Sequence, residues 1–292
     1  MDGILLVDKP EGLTSAAVVR IAKRSLRVKV GHLGTLDPFA TGLLPLCLGE
    51  GTKIAQFLVV ADKVYDGFIR LGSETDSGDR TGRVVRTAEV PVFEPAALEV
   101  LAQRFTGEQL QTPPMFSAIK QGGVPLYELA RAGTEVERAP RPVVIHRLQL
   151  RLVAPDLLAL AVHCSKGTYI RVLAQDLGVA LGSAAHLEAL RRTAFGAFSL
   201  GDAVSLADLE AGRVDKLIGL RAALRHLREF SIDVGQAHRA RSGQAAALRD
   251  LPAAAAVETA KLIGPGGELI AVVSGAAAAP WRFERVFAHQ QV

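Results

Sequence analysis

The stretch GHLGTLDPFATG, residues 31–42, constrains this chain more than any other segment. Three glycines and one proline in twelve positions deny it a regular helix or strand. It runs directly into LLPLCLG, an apolar run that reads as a buried strand. Within it, Asp37 precedes Pro38. A carboxylate held between a glycine and a proline, away from its own backbone amides, can serve as a nucleophile, a general base or a metal ligand. The same residue types also build an ordinary Asx-Pro turn, and spacing alone favours the turn.

The chain has 292 residues, enough for one large core with a small appended domain or for two modest domains. Hydrophobic residues at 49% and charged residues at 22% exclude a disordered chain. Aromatics are only 5%, so the core must be aliphatic. A net charge of +4 fits a polyanionic partner without requiring one. Cys47 and Cys164 sit in apolar runs with no Cys/His ligand spacing around them, so they read as small core residues and no metal is implied. The opening MDGILLVDKPEG has no basic stretch and only a short apolar one, so it does not read as a signal peptide. No apolar run approaches the ~20 residues of a membrane span. The expected location is the cytoplasm.

Periodicity predicts a strand over residues 3–7 and a helix capped by Thr14 or Ser15 that runs to about Arg27. Arg20, Lys23, Arg24 and Arg27 fall on one face of that helix. Helices are predicted over 52–60, 95–104 and 169–181, and strands over 63–71, 143–153 and 157–164. The polar segment 73–82 reads as a long hairpin or a binding loop. Residues 110–140 read as a basic inserted element with one short helix. Residues 205–228 read as a helical connector. From about 230, short β-like runs suggest a small β domain, with 253–256 undecided between helix and loop.

A second motif is CSKGTYIRVLAQDLG, residues 164–178. Arg171 falls in the first turn of a predicted helix, where a cation opposes the helix dipole. That cost points to a specific job, such as reaching a carboxylate elsewhere and keeping it ionised.

Together the motifs resemble the TruB family of tRNA pseudouridine synthases. GHLGTLDPFATG resembles its catalytic motif and ILLVDKPEGLTS its opening strand and turn. KVYDGFIRLGSETDSGD resembles its tyrosine motif, QTPPMFSAIKQGGVPLYELARAG its RNA-clamping insertion, and CSKGTYIR and GSAAHLEALRRT its later motifs. The order is the family's order, and the likeness covers nearly all of residues 1–200. Beyond 230 it is faint.

The resemblance implies an α+β pseudouridine synthase fold with a mixed, mostly antiparallel sheet. A catalytic domain over 1–229 would carry the insertion at about 110–140, and a small PUA-like β-barrel would follow over 230–292. It implies isomerisation of uridine-55 in the T-loop of tRNA, on a uridine flipped out of its stack. Asp37 matches the catalytic nucleophile, although assistance to elimination at the sugar stays open. Arg171 matches its ion-pair partner, and Tyr65 the active-site tyrosine, which stacks on uracil or helps remove the C5 proton. His32 matches a histidine that props the vacated position, Tyr169 and Leu190 match pocket-lining residues, and Asp79 matches a polar residue near the flipped base. Asp8 and Lys9 read as structural.

The reaction moves no electrons to an acceptor and spends no phosphoanhydride, so the resemblance implies no cofactor. It implies the T-arm of tRNA as partner, no required protein partner, no membrane, and a monomer. Arg20, Lys23, Arg24, Lys120, Arg131 and Arg141 are candidate phosphate contacts. Three other readings remain at this point: a tRNA-folding helper, a guide-RNA-dependent relative, and an unrelated carboxylate hydrolase. The insertion argues against the second. The third lacks a second catalytic carboxylate.

Overall fold

The computed structural model describes residues 1–277 and 279–287. Residues 278 and 288–292 of the expected C-terminal domain lie outside the described residues.

The first half of the chain alternates strands with short helices. In order these are β1 (Gly3–Lys9), α1 (Ser15–Leu26), β2 (Val30–His32), β3 (Thr41–Leu48), α2 (Gly51–Leu58), β4 (Lys63–Leu71), β5 (Ser73–Thr75), β6 (Val84–Thr87), α3 (Pro95–Arg104) and β7 (Gly107–Gln111). The inserted element carries β8 (Lys120–Gln121), β9 (Val124–Pro125) and α4 (Leu126–Arg131). There follow β10 (Arg141–Ala154), β11 (Leu157–Cys164), α5 (Ile170–Ala180), β12 (Ala185–Phe195), β13 (Phe198–Ser199), α6 (Leu206–Glu210) and α7 (Leu220–Ala223). The chain closes with β14 (Arg228–Ser231), α8 (Val234–Arg241), β15 (Glu258–Ile263), β16 (Leu269–Ala276) and β17 (Ala279–Val286).

The main sheet runs β1-β3-β12-β4-β11-β10-β7, with β2 paired to β3 and β13 to β12. Every pairing in it is antiparallel except β3 with β12. The expected mixed, mostly antiparallel sheet is therefore present. The parallel contact depends on Gly42, whose φ is +99° and whose Cβ would lie 2.3 Å from the Arg192 carbonyl oxygen. No other residue lets β12 approach β3 there.

β1 is buried on both faces, and its period of two feeds two cores. Leu5 and Val7 enter the larger core with Val18 and Ala22 of α1, Leu98 and Leu101 of α3, and Leu173 and Leu177 of α5. Ile4 and Leu6 enter a second core with Ile54 and Leu58 of α2 and with Ile263, Leu269, Val272 and Phe287 of the C-terminal region. The four C-terminal strands form a sheet in the order β14-β15-β16-β17. A third core lies behind it, with Ala237 and Ala240 of α8 and Trp281. The C-terminal sheet thus shares apolar surface with the main sheet.

Two expectations need correction. The connector over 205–228 holds only the short helices α6 and α7. This stretch instead satisfies the free edge of β1: Val204, just before it, exchanges backbone hydrogen bonds with Leu6 and Asp8, and Ile218, within it, bonds Ile4 in both directions. An unpaired edge on a buried strand cannot be left open, and this demand overrides helical propensity. The insertion is also shorter than expected, because residues 110 and 111 belong to β7, which pairs with β10. Residues 253–256 form an irregular segment.

Phe287 is buried and its amide donates to the Ile270 carbonyl at 3.0 Å. Phe287→Ala is expected to lower unfolding stability by about 3–5 kcal/mol. Urea titration followed by both near- and far-ultraviolet circular dichroism checks this, and the two probes should keep one shared transition.

Candidate active site

Residues 33–40 join β2 to β3 as a loop that has no ladder of its own and is held from three sides. Ser15, at the start of α1, donates its Oγ to the Leu36 carbonyl at 3.0 Å and accepts from the Leu36 amide at 2.9 Å. Lys9 ends β1 fully buried, and its Nζ donates to the carbonyls of Pro10 at 2.8 Å, Leu13 at 2.7 Å and Pro38 at 3.3 Å. Burial lowers the Lys9 ammonium to about 8, and nearby Asp37 is the largest influence opposing it. Arg192 of β12 is 1% exposed and donates Nε to the Leu43 carbonyl at 2.7 Å and Nη2 to the Gly34 carbonyl at 2.9 Å. Gly34 has φ +64°, and a Cβ there would meet the Phe195 ring at 3.0 Å.

Asp37 emerges from this frame with Oδ2 2.9 Å from Nε of Arg171. Arg171, in the first turn of α5, is almost wholly buried. It spends its other two nitrogens on carbonyls: Nη1 on Ser77 at 2.6 Å and Nη2 on Phe116 at 2.7 Å. Its side chain therefore joins the 33–40 loop, the 73–82 segment and the insertion at one point, which accounts for a cation at a helix N-terminus. Burial raises the Asp37 carboxyl above its ordinary value, Arg171 opposes this, and Asp79 adds to it. The net direction is upward, so Arg171 counters burial without cancelling it.

Tyr65 points inward from β4, where its burial alternates with that of its neighbours. Burial raises its pKa and keeps the phenol neutral, and the positive charge of nearby Arg192 opposes that shift. Tyr169 caps α5, and the Gln111 side chain grips its backbone, donating to the carbonyl at 3.3 Å and accepting from the amide at 3.0 Å. Asp37, Tyr65, Tyr169, Arg171, Leu190 and Arg192 line one cavity of about 650 Å³. Ser117, Ala118 and Ile119 of the insertion form part of its wall.

Two candidates lie elsewhere. Asp79 is buried behind Arg171, outside the cavity lining. Its Oδ1 accepts from the Ser77 hydroxyl at 3.0 Å, the Thr81 amide at 2.9 Å and the Thr81 hydroxyl at 2.6 Å, and its Oδ2 is 3.8 Å from Arg171 Nε. That geometry orients the arginine. His32, the last residue of β2, is also absent from the lining. Its Nδ1 is buried without a hydrogen-bond partner, and burial together with Arg192 lowers its basicity. Of the candidate phosphate contacts, Arg20, Lys23, Arg24, Lys120, Arg131 and Arg141 are all exposed, and Arg141 borders the cavity.

Sequence reasoning missed Arg192, Gln111 and the Phe116 carbonyl. For Arg192 a signal existed: Leu190 and Arg192 are two apart on one strand, so period two puts both on the same face. Gln111 and Phe116 had none, because their roles arise from tertiary placement.

Arg171→Leu would strand a carboxylate and two carbonyls. The loss expected is about 2–4 kcal/mol of stability, measured by urea unfolding, with the Asp37 carboxyl titrating at still higher pH by carbon-13 NMR.

Residues 20–170 match the family described as TruB family pseudouridylate synthase (N terminal domain), and residues 171–229 match the tRNA pseudouridylate synthase B C-terminal domain. A tRNA pseudouridine synthase B of Aromatoleum aromaticum is 53% identical over 242 residues, 81% of this chain and 78% of the relative. One of Dechloromonas aromatica is 50% identical over 253 residues, 85% of this chain and 84% of the relative. Among solved structures, a box H/ACA ribonucleoprotein bound to a substrate RNA containing 2′-deoxyuridine shares the fold, with a TM-score of 0.73 over 98% of this chain and 85% of that one at 22% identity. Both segment matches and the extent of these identities place the chain in the TruB family of pseudouridylate synthases.

Proposed function

We propose that this protein isomerises uridine-55 in the T-loop of tRNA to pseudouridine, with Asp37 as the nucleophile. The observation that carries the reading is one carboxylate in a cavity, held on Nε of a buried arginine beside an inward tyrosine. The curated relatives named as tRNA pseudouridine synthase B supply the substrate class.

In this mechanism the Asp37 carboxylate attacks C1′ as the C1′–N1 bond breaks, and the electron pair leaves with the uracil. The freed uracil turns on Tyr65 and Leu190 until C5 faces C1′. Formation of the C1′–C5 bond releases Asp37. A proton then leaves C5, N1 gains one, and the atom count is unchanged. Tyr65 lines the cavity, where its hydroxyl can serve that transfer, with the positive charge of nearby Arg192 favouring negative charge on its oxygen. The uridine must first leave its stack, at a cost of a few kcal/mol.

The exposed arginines and lysines of α1 and of the insertion would hold backbone phosphates, so affinity should fall steeply with salt. The insertion grips the T-arm directly, and the enzyme acts as a monomer without a guide RNA or protein partner. Residues 1–229 carry out catalysis, and 230–292 form an appended RNA-binding domain. The family match that ends at residue 229 supports that division. A cytoplasmic location follows from the substrate, and no described helix is long and apolar enough to cross a membrane.

Tritium release from tRNA transcript labelled at uracil C5 tests the reading, with the modified position then mapped chemically. Wild type should release tritium without added RNA or protein. Asp37→Asn should lose at least about a thousandfold of the rate while still binding the transcript. Tight binding with no wild-type release would reject the enzyme reading.

Because the Asp37 carboxyl must be ionised, activity should fall as pH drops through its raised value. Arg171→Lys removes part of the opposing influence, so its acid limb should lie at higher pH than that of wild type. Single-turnover rates across pH check the direction.

A further inference from the structure

Away from the cavity, three side chains converge on adjacent strands of the main sheet. Asp62 directly precedes β4, His163 lies in β11 and His146 in β10, and these strands are neighbours in that order. Oδ2 of Asp62 is 3.2 Å from Nε2 of His146 and 3.7 Å from Nε2 of His163. The ring centroids are 4.8 Å apart with planes tilted by 46°, so the imidazoles converge without stacking. One donor atom from each residue lies within 4.8 Å of the other two.

The local backbone is built to produce this meeting. Ile145 pairs with Cys164 and Arg147 with His163, so the register slips at His146. A bulge of this kind re-aims the side chain it carries. Lys63, next in sequence to Asp62, directs its ammonium to the carbonyls of Val59 and Ala61 and to the Phe195 ring at 4.6 Å. The two imidazoles are close partners of the Asp62 carboxylate.

We propose that Asp62, His146 and His163 bind one divalent transition-metal ion of the zinc class. Two imidazoles and one carboxylate without a thiolate suit zinc, cobalt, nickel or copper, whereas calcium and magnesium prefer oxygen donors. An ion about 2.0–2.1 Å from each donor would subtend about 100–105° and 125–135° across the two measured separations. The donor atoms, which lie within 4.8 Å of one another, would close to about 4.2 Å or less by rotation of the imidazoles to share it. Each side chain is roughly two-fifths exposed, which gives an ion access and leaves the fourth position to water. None of the three lines the catalytic cavity. The ion would brace β4, β11 and β10 where β10 emerges from the insertion. Ligands at 62, 146 and 163 are too far apart in sequence for a spacing motif to reveal them.

The test uses the full chain, stripped with EDTA and titrated with Zn²⁺ by calorimetry and with Co²⁺ by visible absorption. Wild type should bind one equivalent with micromolar affinity and gain thermal stability on binding. His163→Asn and Asp62→Asn should each weaken binding at least about tenfold, with melting in EDTA close to that of wild type. His238→Asn, at an exposed histidine of α8, should bind as wild type does. Absence of saturable binding, or equal binding by wild type and His163→Asn, would overturn the site and leave an ordinary Asp–His ion pair.

Discussion

Arg171 is the contact on which the site depends. A guanidinium offers donors in a fixed planar fork, and here that fork is divided among three segments remote in sequence. One edge fixes the Asp37 carboxylate, and the other nitrogens fix the carbonyls of Ser77 and Phe116. Burying the charge is costly, and one carboxylate does not offset the cost alone. Carbonyl dipoles complete the solvation that water would have given. Asp79 stands behind, bound to Ser77 and Thr81, and limits how far the arginine can swing. The placement of Asp37 is therefore a property of four chain segments.

Two other buried cations beside the site, Lys9 and Arg192, follow the same logic without an acidic side chain in hydrogen-bond contact. Lys9 and Arg192 both bond main-chain carbonyls of the loop or its flanks. A loop of this composition cannot satisfy its own carbonyls, and buried carbonyls without donors are expensive. Long basic side chains supply donors from neighbouring strands and specify the loop's shape. They also leave positive charge near the cavity. That charge opposes the effect of burial on Tyr65 and on Asp37, the two groups that must exchange protons or bear negative charge in the proposed reaction.

Much of the fold was legible because its signals are local. The bounds of β4 and α3 follow directly from alternation and from helical spacing closed by turn residues. Thr14 caps α1 as its hydroxyl and position suggest. Asp37, Tyr65, Tyr169, Arg171 and Leu190 were found through family motifs, and the structure gathers them around one cavity. What stayed hidden depends on tertiary demand. The 205–228 segment has helical character, yet the bare edge of β1 recruits Val204 and Ile218 as backbone partners. β7 carries little hydrophobic alternation and owes its strand form to pairing with β10.

The link from Arg171 to the Phe116 carbonyl carries a consequence for substrate entry. Ser117, Ala118 and Ile119 wall the cavity, so a nucleotide entering beside them presses on the segment whose carbonyl Arg171 holds. Should that bond break, Nη2 would lose an acceptor in a nearly dry site, and a phosphate or uracil oxygen would be the replacement that avoids the penalty. The position of the insertion and the hold on Asp37 are thus tied through one guanidinium. A phosphate oxygen at Nη2 would add negative charge beside Asp37 and raise the carboxyl further, so a neutral uracil oxygen is the replacement compatible with an ionised nucleophile.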